Sequence, residues 1–151
     1  MIAVEPIAYV RGPRASLEDD AWGRVESAIE LVESFGADCL AGLEEFSHAE
    51  ILFHFHAGDP GAVERGTRHP RGNPAWPRVG IFAQRAAGRP NRIGATIVEI
   101  RGVEGRVLRV AGLDAVDGTP VLDIKPVMAE FLPRTPLRQP AWSRELMRGY
   151  W

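Results

Sequence analysis

The sequence predicts a mostly β protein: an antiparallel β-barrel with a few short helices and a C-terminal tail. Three observations carry that expectation. Short runs rich in β-branched and aromatic residues recur along the chain, bounded by Gly, Pro and Asp-Gly signals. Residues 45–56, EFSHAEILFHFH, alternate apolar and polar with a period of two. The β-like runs after residue 78 follow one another at a spacing that suggests antiparallel strands joined locally. At 151 residues the chain suits a single domain, 1–151 with its tail from about 127, because a chain this long buries roughly 70% of its unfolded surface.

Taken in order, residues 4–11 (VEPIAYVR) predict a first strand that Gly12-Pro13 ends as a turn. Residues 22–35 fit either a helical face (Val25, Ile29, Val32) or a strand, and the strand is preferred. A helical turn is expected over 37–44. The run 45–56 then reads as a central strand with Ile51, Phe53 and Phe55 on one face and Leu52, His54 and His56 on the other. Residues 57–78 carry Gly or Pro every few positions and predict a long loop, with room for a turn of helix, of the kind that usually serves function. Four β-like runs follow: VGIFAQR, IGATIVEIRGVEG, RVLRVAGLDAVDG and TPVLDIKP, with turns at Glu104-Gly105 and Asp117-Gly118. In the tail, SRELMRGYW is helix-competent with Ser143 as N-cap, and Trp142, Tyr150 and Trp151 suit tail packing or a dimer contact.

Composition excludes several classes. Hydrophobic residues are 45% and charged residues 25%, ordinary globular values. No apolar run approaches the 18 residues of a membrane span, and the first residues lack a basic flank, so a cytoplasmic protein is expected. The lone Cys39 has no disulfide partner and reads as a buried or idle thiol. His54 and His56 form a His-x-His pair, but Glu64 lies too far on and His69 sits among prolines, so no metal site is expected. The net charge of −2 conceals an asymmetry: residues 1–59 sum to −9, residues 60–92 to +6 and the remainder to +1. Lys125 stands alone among 17 arginines, and a guanidinium fork suits phosphate, carboxylate or base recognition. The middle cluster points to an anionic partner, although the overall pI near 6.1 is unlike a typical nucleic-acid-binding domain.

The second half carries a resemblance. Gly80 to Arg85 (GIFAQR), Arg89 to Gly94 (RPNRIG) and Asp117 to Pro126 (DGTPVLDIKP), preceded by Glu45 to His48 and Phe55-His56, are similar in order and spacing to the motifs of the TrmO/TsaA (YaeB-like) family. Ile7 to Pro13 resembles that family's first strand, and the likeness spans about residues 5–126. It implies an S-adenosylmethionine-dependent methyltransferase on an antiparallel barrel, working as a homodimer on tRNA rather than DNA. The implied target is N6 of N6-threonylcarbamoyladenosine. Position by position, it places cofactor contacts at His56, Ala57, Arg85, Ala95, Ala111, Gly112, Leu113 and Asp114, and substrate-side roles at Arg89, Asn91, Asp117 and Lys125. It names no catalytic base; Asp117 and His56 are candidates. The chain departs from the family pattern where Ala86 replaces a Ser and Arg92 replaces the second Pro of the RPNPIG motif. Those departures leave two alternatives: an S-adenosylmethionine-binding protein of the same fold without transfer, and a small-molecule methyltransferase.

Overall fold

The computed structural model describes residues 1–151. Six strands close into an antiparallel barrel: β1 (Ala8–Arg11), β2 (Glu26–Leu31), β3 (His48–His54), β6 (Ile93–Glu104), β7 (Val107–Ala111) and β8 (Pro120–Pro126). The ring order is β1-β2-β7-β6-β3-β8, and the Ala8–Val121 pairing brings β8 back to β1. Closure leaves the barrel without a free edge. Two short strands, β4 (Thr67–Arg68) and β5 (Val79–Gly80), pair outside it.

Alternation sets what faces inward. Ala49, Ile51 and Phe53 of β3 are buried, as are Ile29 and Leu31 of β2 and Leu108 and Val110 of β7. Phe53 is paired with Gly94, and a Cβ on Gly94 would lie 2.6 Å from the Phe53 ring. The glycine of the RPNRIG motif is therefore the space into which the largest core ring packs. The twelve-residue β6 shifts register between Ile100 and Gly102, and β3 against β8 between Leu52 and Phe53. Such bulges help a long strand curve round a small barrel.

Topology assigns the loops to the two ends. Segments 12–25, 55–92 and 112–119 all lie at the end where β3 finishes; segment 32–47 and the Gly105-Arg106 hairpin lie at the other. β7 and β8 stand opposite each other in the six-strand ring, so 112–119 must cross the first end, and Leu113, Ala115 and Val116 are buried there. β2 and β3 are likewise opposite, so 32–47 crosses the second end, where Leu40 is buried and Leu43 packs against the core.

Several expectations are corrected. The first strand begins at Ala8, because residues 1–5 are exposed and the residues before Ala8 have no partner in the ladder. VGIFAQR is not a strand beyond Val79–Gly80; Ile81–Ala83 turns into a 3-10 helix that buries Ile81. The 57–78 loop is partly ordered, holding β4 and 3-10 turns at Pro60–Ala62 and Pro70–Gly72. The 37–44 turn is two 3-10 turns, Ala37–Leu40 and Leu43–Glu45. The tail helix α1 spans Ala141–Leu146 with Pro140 at the N-cap; Ser143 lies inside it and donates to the Pro140 carbonyl at 2.7 Å. Cys39 is exposed, not buried. No helix is long and apolar enough to cross a membrane.

Candidate active site at one mouth of the barrel

Eleven of the twelve site residues drawn from the sequence lie on segments at the β3-terminal mouth or, for Ala95 and Ala111, on strand ends that border it. The exception is Lys125. It sits on β8 opposite Glu50, well toward the other end, and pairs with Asp123 at 2.6 Å on the outer face. That pairing, more than any other neighbour, raises its ammonium above the ordinary lysine range. An exposed pair of this kind is a wall feature, not part of the mouth.

At the mouth one group converges from distant sequence. Alternation turns Thr96 inward, and its Oγ1 donates to Asp114 Oδ1 on the crossing segment. Tyr150 Oη donates to the other oxygen, Asp114 Oδ2. One residue before Thr96, the Ala95 carbonyl accepts from Arg85 Nη2. Arg85 also lies close enough to act on the Tyr150 phenol. Burial first, then the Asp114 charge, pushes that phenol far above the ordinary tyrosine range, so it remains a proton donor. Gly112 takes φ 83° at the turn before Asp114, and its N–H donates to Val25 at 3.0 Å. Arg85, Ala95 and Asp114 are thus brought together, with Ala111, Gly112 and Leu113 leading into the same turn.

His56 and Ala57 form a second, more exposed group just beyond β3. His56 Nε2 lies 3.8 Å from where a side chain on Gly118 would begin. Next to it, Asp117 Oδ1 accepts from the Gly12 N–H at 3.1 Å and the Asp117 N–H donates to Arg14, tying this turn to the end of β1. No hydrogen bond or ion pair joins this group to the Asp114 cluster. His54, further back on β3, is held below the usual histidine range by burial and by the charges of Arg92 and His56.

The middle arginines are mostly engaged by carbonyls. Arg89 donates to Gln84 O at 2.6 Å, Arg92 to Gly58 O at 3.2 Å and Arg78 to Thr67 O at 2.7 Å, whereas Arg71 pairs with the Asp20 carboxylate at 2.9 Å. A carbonyl orients a guanidinium without neutralising it, so the positive field at this mouth survives. Asn91 is exposed at φ 62° and Arg92 follows at φ 48°. Proline cannot take a positive φ, so exchanging the motif's second Pro for Arg92 goes with a backbone that the proline form cannot share.

Two contributors were missed. Thr96 had a signal, a polar residue on an otherwise apolar inward face. Tyr150 had none, since only tail docking brings it here. No three His, Cys, Asp or Glu side chains converge on a point where a metal could sit.

Comparison with known proteins identifies the family. The mouse tRNA (adenine(37)-N6)-methyltransferase is 46% identical over 92 residues, 61% of this chain and 21% of that protein. A probable S-adenosyl-L-methionine-binding protein of Pyrococcus abyssi is 35% identical over 137 residues, 87% of this chain and 71% of its own length. A crystal structure of TrmO superposes with a TM-score of 0.75 at 32% identity, covering 92% of this chain and 63% of that one. The chain thus spans about a fifth of the mouse protein. Residues 13–131 match the model of the tRNA-methyltransferase O N-terminal domain, and the chain belongs to that family.

Proposed function

We propose that the protein is an S-adenosylmethionine-dependent methyltransferase acting on tRNA, with N6 of N6-threonylcarbamoyladenosine as the acceptor. The observation that carries the reading is the convergence of Arg85, Ala95 and Asp114 at one mouth from three separate segments. The relatives named as tRNA methyltransferases and as S-adenosylmethionine-binding proteins support it.

The residues fit the methyl donor. Asp114 accepts a hydrogen bond from one hydroxyl on each oxygen, which orients the carboxyl group and leaves acceptor capacity for a ligand amine. Arg85 spends one N–H on Ala95 and keeps others for a carboxylate. His56, Ala57 and the 111–113 turn supply the walls. When bound, S-adenosylmethionine supplies an electrophilic methyl group on its sulfonium. The protein's task is then orientation, which alone contributes several orders of magnitude to such a transfer. Asp117 and His56, at the neighbouring turn, are the groups placed to take a proton from the acceptor nitrogen. The arginines of 60–92 face the anionic backbone of tRNA. The same reading makes the protein cytoplasmic and homodimeric, in keeping with its exposed apolar Phe82, Ile93 and Ile97.

Calorimetric titration with S-adenosylmethionine, followed by transfer of labelled methyl to total tRNA, tests the proposal. Arg85→Ala is expected to weaken binding about tenfold, the size of losing one charge-assisted hydrogen bond. Absence of binding by the wild-type protein would refute the cofactor assignment. A second reading, a binding protein without transfer, is favoured by the altered Asn91-Arg92 backbone; it predicts binding with no label in tRNA.

A further inference from the structure

The tail leaves the barrel at the end opposite the mouth, yet its last residues return to the mouth. β8 finishes at Pro126 on the far side, and every residue from Met128 to Ala141 is exposed. Contacts resume only in the last segment. Glu145 accepts from Trp76 Nε1 at 2.9 Å, Gly149 O accepts from Ala21 N at 3.0 Å, and Tyr150 O accepts from Trp22 N at 2.8 Å. Gly23 has room for no side chain, since a Cβ there would lie 2.7 Å from the Trp151 carbonyl carbon. Tyr150 and Trp151 meet edge to face at 4.8 Å. These contacts anchor the strap on the 21–23 and 69–76 loops and bring Tyr150 Oη to Asp114.

The receiving loop is itself held in an unfavourable state. Ala21 sits at φ 64°, a conformation that an L-residue adopts at a cost and that persists where surrounding contacts over-determine it. Here those contacts are the Gly149 carbonyl and Arg14, whose Nη2 donates to the Ala21 carbonyl and whose guanidinium stacks 4.2 Å over the Trp22 ring.

We infer that Tyr150 is a positioning residue for the methyl-donor site: its hydroxyl, together with that of Thr96, fixes the Asp114 carboxylate in the orientation that receives the ligand. The inference rests on the reading of Arg85 and Asp114 as donor-binding. With a donor on each oxygen the carboxylate plane cannot swing, and both remaining lone-pair directions are set before a ligand arrives. Remove the phenol hydroxyl and one oxygen is free to turn toward water, so binding must reorder it. The strap thus completes the mouth from outside the region that carries the family motifs.

The test is a double-mutant cycle of Tyr150→Phe and Asp114→Asn, read by calorimetric titration with S-adenosylmethionine and by methyl-transfer kinetics. Phe keeps the ring, its contact with Trp151 and the main-chain pairing, so Tyr150→Phe should fold, with a melting temperature lowered by only about 2–4 °C as for one lost hydrogen bond. Its Kd for S-adenosylmethionine should rise about fivefold, as for one lost hydrogen bond, with KM rising in step and kcat little changed. In the Asp114→Asn background the same change should add less than about twofold, because the two groups act as one unit. Tyr150→Phe binding as the wild type does, or more tightly as if the tail competed with the ligand, would overturn the inference while Asp114→Asn remained impaired. Fully multiplicative effects in the double variant would also overturn it. Asp114→Asn binding unimpaired, or wild type failing to bind, would bring down the donor-site reading and this inference with it.

Discussion

The two ends of the barrel are each crossed by one connecting segment, and the difference between the segments separates a cap from a site. At the end where β2 leaves, residues 32–47 cross with Leu40 buried and Leu43 against the core, and their hydrogen bonds are mostly main-chain 3-10 bonds. At the other end, residues 112–119 also bury Leu113, Ala115 and Val116, but between them the half-buried Asp114 carboxylate meets the hydroxyls of Thr96 and Tyr150. Both segments solve the same topological problem, joining opposite strands of a closed ring. Only one places a charge among donors that come from elsewhere in the chain. A half-buried carboxylate served by two hydroxyls is costly to maintain unless it serves something, whereas a buried leucine is explained by the core alone.

The sharpest break between the two ends comes from Leu40→Ala. Removing this buried side chain should cost about 3 kcal/mol of unfolding free energy in denaturant titration, while the folded fraction binds S-adenosylmethionine as before. Loss of binding in step with stability would mean that the caps are not functionally distinct. Next in size is Arg92→Pro, which restores the second proline of the motif. The native φ of 48° forbids it and the Arg92 N–H bond to Arg89 is lost, so more than about 1 kcal/mol of destabilisation is expected. A neutral or stabilising outcome would show that this loop takes another backbone in solution.

Thr96→Val, nearly the same in shape, removes the other hydroxyl from Asp114. The Kd for S-adenosylmethionine should rise about fivefold, with a melting temperature lowered by about 2–4 °C because the folded protein loses the same bond. The smallest effect belongs to Lys125→Ala. Its partner Asp123 is on the exposed wall, so neither melting temperature nor methyl transfer should change measurably. A clear loss of transfer would return Lys125 to the site and redraw its boundary.

Much of the candidate site was legible in sequence because its motifs fall on two loops that antiparallel topology must send to one end. Arg85, the RPNRIG run and the AGLD turn could be read without knowing the pairing. Lys125 lies away from the mouth although it stands in the same motif run as Asp117, because β8 carries the chain toward the other end. The arginine cluster was visible as charge, but its binding to carbonyls was not, since that depends on loop backbones brought together only by folding.

Residue order by itself determined the strand-rich class, the turn positions, the inward alternation of Ile51 and Phe53, and the family, because these depend on neighbours one to a few positions apart. Tertiary structure alone decided that β7 and β8 stand opposite each other, that Gly94 is the seat of the Phe53 ring, and that Tyr150 reaches Asp114 across 36 positions of sequence. The physical reason is that hydrogen-bond registers and ring closure fix distances between residues far apart in the chain, and no local pattern encodes which distant partner fills a given space.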